Sequence, residues 1–261
     1  VRTGSAERAD VCAFAVMAKA PRSGAVKTRL VPPLTGAEAA MLSVCFIKDI
    51  TDNFALVAER MPVDGYVAYS PPGAEATFRD LLPSSIRLLP SRRLGLGLSL
   101  FDAAEDLLGA GYGGACLVNA DSPTLPTSAL LDAAAALRAP GDRVVLGPAI
   151  DGGYYLIGLK RPHQRLFEDI AWSTERVFRQ TVERAASLSL PVVTLPTWYD
   201  VDDRTSLGWL GQELIARQPS PEFSPAGYAA PHTAAYLRQL LAADRTPGLS
   251  FGEAIDERVR P

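Results

Sequence analysis

Four short clusters of polar and charged residues in this chain have the residue types and spacing to handle phosphate. The first, residues 19–30 (KAPRSGAVKTRL), places Lys19, Arg22, Lys27 and Arg29 around Gly24. Arginine offers phosphate a planar fork and lysine a mobile point charge. Gly24 permits a tight backbone whose neighbouring amides can turn toward an anion. The glycine spacing ahead of Lys27 is not that of a Walker A loop. The second cluster, residues 119–126 (NADSPTLP), carries Asn119 and a carboxylate, Asp121, suited to holding Mg2+ against a di- or triphosphate. The third, residues 200–204 (DVDDR), crowds Asp200, Asp202 and Asp203, which repel one another unless a cation sits among them. In extended backbone Asp200 and Asp202 share a side and Asp203 points elsewhere. The fourth, residues 151–155 (DGGYY), sets Asp151 beside two glycines that let a ligand approach closely. Each has an ordinary alternative: a solvated basic loop, an Asx turn, an acidic surface turn, a glycine turn. Their order adds weight, because a basic loop, a mid-chain carboxylate and a late carboxylate cluster together match a metal-assisted attack on an activated phosphate.

These clusters need elements to hold them. Residues 11–18 form an apolar run of strand length, which fits a strand buried on both faces with the basic loop at its end. A long helical pattern spans residues 37–56, with Thr35 placed to cap it and Glu38 as capping-box partner. Strands are predicted at residues 63–69, 86–89, 115–118, 144–146, 154–158 and 191–195. Helices are predicted at residues 74–82, 98–108, 128–137, 174–188 and 233–243. This alternation argues for an α/β fold with a mostly parallel, Rossmann-like sheet and helices on both faces. In such sheets the ligand crevice lies beyond the carboxyl ends of the strands, where the basic loop and Asp121 fall. Residues 11–214 read as one catalytic domain. Residues 215–261, interrupted by Pro219, Pro221, Pro225 and Pro231, read as a C-terminal extension packed on it, too short for a core of their own.

Bulk properties narrow the field. An apolar content of 48% permits a substantial core, and a net charge of −3 is far from the basic balance of nonspecific nucleic-acid binders. Two histidines, His163 and His232, argue against a histidine-rich zinc site or a histidine-based triad. Cys12, Cys45 and Cys116 lie in apolar segments without metal-site spacing, as expected of buried thiols in a reducing, cytoplasmic compartment. No run of 18 apolar residues suggests a membrane span, and the first ten residues read as a loose polar terminus with no signal-peptide pattern.

Between roughly residues 11 and 211 the chain resembles the bacterial GT-A-like proteins of DUF2064 type. The resemblance rests on AKAPRSGAVKTRL, NADSPTLP, GPAIDGGYYLIGL, AWSTERVF and YDVDDRTSL. The wider superfamily includes sugar-phosphate nucleotidyltransferases, molybdenum-cofactor guanylyltransferases and phospholactate guanylyltransferases. The resemblance implies a GT-A, nucleotide-diphospho-sugar-transferase-like fold with a nucleotide pocket at the first strand, contacted by Lys19, Gly24, Lys27, Arg29 and Asn119. It implies Asp121 and Asp202 as ligands of Mg2+ or Mn2+, with Lys27 and Arg29 holding the phosphates and neutralising a leaving pyrophosphate. Asp151, Gly152 and Gly153 would line the acceptor side, with Trp172, Ser173 and Thr174 nearby. One departure stands out: residues 92–98 read RRLGLGL, where the family has a glutamine- and glycine-rich stretch with an acidic residue.

Three functions follow as expectations. The first is nucleotidyl transfer from a nucleoside triphosphate to a small phosphorylated or carboxylated acceptor, which is already ionised and demands no strong base. The second is glycosyl transfer from a nucleotide sugar, with Asp151 as base. The third, motivated by residues 92–98, is a catalytically inactive nucleotide-binding scaffold. The partners expected are a nucleoside triphosphate or nucleotide sugar and a small acceptor, with no nucleic acid and no membrane. Homo-oligomerisation is left open.

Overall fold

Alternate side chains of the first strand enter two different cores, which is why its sequence is apolar without a break. In a computed structural model describing residues 8–93, 95–218 and 223–242, this strand is β1 (Cys12–Lys19). Cys12, Phe14, Val16 and Ala18 join one apolar cluster, while Ala13 and Ala15 join the other. The expectations for the first seven residues, for Leu94, for Pro219 and Pro221, and for residues 243–261 lie outside the described residues.

The chain continues as α1 (Gly36–Ala58), β2 (Val63–Ser70), α2 (Glu75–Arg79), β3 (Arg87–Pro90), α3 (Leu96–Gly109), β4 (Gly114–Asn119) and α4 (Thr127–Arg138). There follow β5 (Val144–Pro148), β6 (Tyr154–Leu159), α5 (Val177–Ser187), β7 (Val192–Thr194), α6 (Arg204–Leu214) and α7 (Pro231–Ala242). The fold is mixed α/β: one seven-stranded sheet, ordered β3-β2-β1-β4-β6-β5-β7, with helices on both faces. Pairings among β3, β2, β1 and β4 are parallel, as is β5 with β7. β6 departs from the parallel pattern: it runs antiparallel to both β4 and β5. The physical reason is the short β5–β6 connection, which can close a hairpin but leaves no room for a crossover.

Helix ends follow local chemistry. Thr35 Oγ1 accepts the Glu38 amide at 3.2 Å and the Glu38 carboxylate accepts the Thr35 amide at 2.7 Å, the reciprocal capping box. The predicted helix at 74–82 shortens to one turn and a half, and 174–188 begins later, at Val177. Sequence reading assigned no helix to residues 204–214, yet α6 forms there, with Asp203 as its N-cap bonding Ser206. The signal was present in Leu207, Leu210 and Leu214, a helical stripe behind a capping residue. The three cysteines are buried and unpaired with one another. Among the described residues no helix is long and apolar enough to cross a membrane.

Asp49, a fully buried residue of α1, anchors α7. Its two carboxylate oxygens accept the His232 and Thr233 amides at 2.9 and 2.8 Å, supplying the acceptors that first-turn N–H groups lack within their own helix. Burial pushes the Asp49 carboxyl above the usual range, and the bonds from Thr233 and His232 oppose that rise. Replacing Asp49 by Ala strands two amides, so unfolding free energy should fall by about 2 kcal/mol. Replacing Asp52, whose half-exposed carboxylate only reaches the His232 ring, should change it by less than about 1 kcal/mol. Urea denaturation of the two variants checks the contrast, and equal losses would remove Asp49 as the anchor.

Candidate active site

β1 and β4 are neighbours in register at the centre of the sheet, so the loops after them emerge side by side at their carboxyl ends. The loop after β1 carries Lys27, and the loop after β4 carries Asp121. A third segment, residues 198–203, arrives from the far end of the sheet, where Trp198 bridges Ala149. It is tied down by the Val201 amide donating to the Asp121 carbonyl at 2.8 Å.

These three segments converge on one ammonium group. Lys27 Nζ lies 2.7 Å from Asp121 Oδ1 and 2.9 Å from Asp202 Oδ1, and donates to the Val201 carbonyl at 2.6 Å. All three of its N–H groups are thereby used. The Phe46 ring of α1 lies beneath it, 5.5 Å from Nζ to the ring centroid. The lysine side chain is 5% exposed, against 37% for Asp121 and 45% for Asp202. The cation is therefore the inner member of the cluster and the carboxylates open outward. Burial alone would lower the Lys27 pKa, but Asp121 and Asp202 outweigh it and hold the ammonium above the usual lysine range. Lys27 also adopts a left-handed backbone, φ 51°, a conformation an L-residue keeps only when its surroundings impose it.

Asp200, discussed at the sequence level but given no role there, is a structural hub of the site. Its Oδ1 accepts Asn119 Nδ2 and Ser122 Oγ, each at 2.8 Å, and Ser122 Oγ also reaches the Tyr199 carbonyl at 2.9 Å. Burial pushes the Asp200 pKa up to about 7; the bonds from Ser122 and Asn119 lower it, and nearby Asp121 and Asp151 raise it. Asp200 and Asp202 take different partners. One turns to the β4 loop and the other to Lys27, because the chain between Trp198 and α6 is not a regular strand. Asp203 caps α6: burial raises its pKa, but the Ser206 amide and hydroxyl, the Thr205 amide and Arg29 outweigh that and hold it below the usual carboxylate range.

The remaining expected residues fall around this centre. Asn119 ends β4 and its amide is committed to Asp200. Lys19 ends β1 and is exposed, as are Arg22, Gly24 and Arg29 on the basic loop. Asp151 is exposed on the β5–β6 turn, its Oδ1 accepting the Gly153 amide at 2.8 Å, and lies close enough to Asp200 to act on its charge. Trp172 is partly buried between Tyr154, with ring centroids 6.4 Å apart, and the backbone of Gly97 at the start of α3. Arg92 and Arg93 turn toward α3: Arg92 bonds Glu105 at 2.8 Å and Arg93 clasps Asp102 with two bonds from Nε at 2.9 and 3.0 Å. The Arg93 guanidinium holds the Asp102 carboxyl below the usual range.

The resemblance read from the sequence implies a metal ion, and the donor set can be tested against it. Asp121 and Asp202 direct hard oxygens at a common point and keep outward access, which fits Mg2+ or Mn2+ bound with water and phosphate as additional ligands. Among the described residues no group of three or more His, Cys, Asp or Glu residues is arranged to hold a metal, so a fully protein-caged ion does not fit.

The Asp151 turn depends on Gly152. At φ 87° a Cβ there would stand 2.2 Å from the Glu175 carbonyl oxygen, and the Gly152 carbonyl accepts the Phe178 amide at 2.9 Å. Gly24, at φ 75°, faces open space instead. Gly24→Ala should therefore cost only the left-handed backbone, about 1–2 kcal/mol. Gly152→Ala adds a backbone collision and should lower thermal stability clearly more; thermal unfolding of both variants measures the difference.

Residues 53–174 match the family profile described as an uncharacterized protein conserved in bacteria, DUF2064. That span contains Asn119, Asp121 and Asp151, while Lys27 and Asp202 lie outside it. No curated protein matches the chain. Among solved structures, a protein of Desulfovibrio desulfuricans G20, provisionally described as a nucleotide-diphospho-sugar transferase, is 29% identical, with a TM-score of 0.74 over 90% of this chain and 96% of its own. A CMP:2-keto-3-deoxy-manno-octonic acid synthetase complexed with CTP shares the fold at 12% identity, with a TM-score of 0.50 over 78% of this chain and 99% of its own. Residues 53–174 thus resemble DUF2064 proteins, and the architecture of the described residues is a nucleotide-diphospho-sugar-transferase-like fold.

Proposed function

We propose that the chain is a metal-dependent transferase acting on a nucleotide-activated substrate, and that it moves a nucleotidyl group from a nucleoside triphosphate to a small phosphorylated or carboxylated acceptor. The observation that carries this reading is the convergence of Lys27, Asp121 and Asp202, residues far apart in sequence, within 2.9 Å of one nitrogen. It lies beside an exposed basic rim of Lys19, Arg22 and Arg29. The 29%-identical relative supports the nucleotide-linked part of the proposal.

The chain's own residues divide the work. Lys19 and Arg29 bind phosphate oxygens at the rim, while amides around Gly24 face the same anion. Asp121 and Asp202 hold the divalent ion, which when bound supplies charge stabilisation to the phosphates. Lys27 offsets charge on the departing pyrophosphate. Asn119 and Ser122 position the acidic segment through Asp200 and need not touch substrate. An ionised acceptor attacks without surrendering a proton, so the scarcity of histidine is no obstacle.

Glycosyl transfer from a nucleotide sugar is the second reading, favoured by the description of the 29%-identical relative. Asp151, exposed on its turn, would then serve as base toward an acceptor hydroxyl. Incubation with nucleoside triphosphates and with sugar nucleotides, following pyrophosphate and nucleoside diphosphate separately, discriminates the two. Diphosphate release from a sugar nucleotide alone overturns nucleotidyl transfer, and tight nucleotide binding with no turnover over a broad acceptor panel marks an inactive scaffold.

Asp202→Asn should lower turnover at least roughly a hundredfold, equivalent to about 2.7 kcal/mol of transition-state stabilisation. Asp121→Asn should behave likewise, and the double variant should lose less than the sum because both carboxylates serve one ion. Asp203→Asn is the control: asparagine also caps helices, so α6 and activity should persist. Mg2+ dependence of turnover is the readout, and an Asp202→Asn protein with unchanged Mg2+ dependence would remove Asp202 from the metal site.

A further inference from the structure

The Asp121–Asp202 pair already has a cation. Lys27 fills the point on which both Oδ1 atoms converge, with its three donors used and the Phe46 face beneath it. Its side chain is almost wholly enclosed, whereas the carboxylates are not. Its backbone lies in the left-handed region, φ 51°. A divalent ion approaching the same two carboxylates meets a like charge lodged between them. Simple addition is therefore disfavoured, and exchange is the alternative the geometry leaves.

We propose that Lys27 is the resident cation of Asp121 and Asp202 in the ligand-free protein, and that it exchanges with the divalent ion by swinging out to the phosphates of the entering polyphosphate. The proposal rests on the metal reading given under the proposed function and adds the order of events. Lysine suits the part because its charge is compact and its four-carbon stem is flexible. Lys19, Arg22 and Arg29, exposed at the end of β1 and on the loop that carries Lys27, offer a polyphosphate positive charge outside the carboxylate pair. Two consequences follow. The free protein binds divalent ions weakly, since Lys27 must be displaced. Ion and polyphosphate bind with positive coupling, since the polyphosphate offers the displaced ammonium a new anionic partner.

The experiment uses the full chain and Mn2+ alone, with free ion read by electron paramagnetic resonance. Lys27→Met should bind Mn2+ at least tenfold tighter than the unaltered protein, and Lys27→Arg, which keeps the charge, should stay as weak. Tightening in Lys27→Met should vanish when Asp121→Asn is added. Lys27→Met binding no tighter than the unaltered chain overturns the exchange. A second measurement needs no variant: brief acetylation followed by mass spectrometry should find Lys27 protected relative to exposed Lys19 without metal, and several-fold more reactive at saturating Mn2+. Mn2+ that saturates through Asp121 and Asp202 while Lys27 stays protected sinks the exchange but spares the metal reading. Mn2+ binding indifferent to both Asp121→Asn and Asp202→Asn sinks the metal reading itself.

Discussion

Two ionised carboxylates brought together at the end of a sheet repel one another, and a positive charge between them removes that repulsion. Lys27 supplies that charge, and the arrangement of the surrounding elements follows from it. The adjacency of β1 and β4 brings the lysine loop beside Asp121. The bond from the Val201 amide to the Asp121 carbonyl brings up the acidic segment, and Lys27 closes the triangle by bonding the Val201 carbonyl as well as Asp202. Backbone and side-chain interactions thus close on the same three segments, so displacing one loosens the other two.

What keeps the acidic segment in place is mostly apolar. Trp198, Tyr199, Trp209 and Phe223 form a contiguous aromatic group, with Tyr199 in contact with each of the other three rings. Residues 198–199 thereby pack against α6 and against the chain that follows it. Polar bonds fix the register: Thr124 reaches the Tyr199 hydroxyl at 3.1 Å, and the Tyr228 amide donates to the Thr124 carbonyl at 2.9 Å. Beyond them, Asp49 holds the start of α7 against α1, and Phe46 of α1 lies under the lysine. The C-terminal part of the described chain therefore buttresses the site from behind, although none of its residues touches the ammonium.

The parts of this arrangement legible in the sequence are those written locally. β1 announces itself because both its faces are buried, and α1 because Thr35 and Glu38 satisfy each other across three positions. The three polar segments could be picked out because each combines charged residues with a strand end or a turn. What could not be read was which partner each side chain takes. Nothing near Lys27 in sequence indicates that its ammonium turns inward to carboxylates 94 and 175 positions later. Period-two alternation grouped Asp200 with Asp202, but it could not show that one bonds Asn119 and Ser122 and the other Lys27. The antiparallel β6 is a related case: residue pattern identifies a strand, but only the length of its connection gives the direction.

The balance of charge at this edge of the sheet is set by burial and hydrogen bonding as well as by Lys27. Asp121, Asp202 and Asp151 gather at one edge with Asp200 among them, and the single ammonium at their centre is already shared by two of the carboxylates. Burial pushes the Asp200 pKa up to about 7, against the bonds from Ser122 and Asn119, which lower it. Asp203 is removed from the balance by its amide bonds at the start of α6. Lys27 is thereby left to balance the Asp121–Asp202 pair, while Asp200 and Asp203 are each held by hydrogen-bond partners of their own.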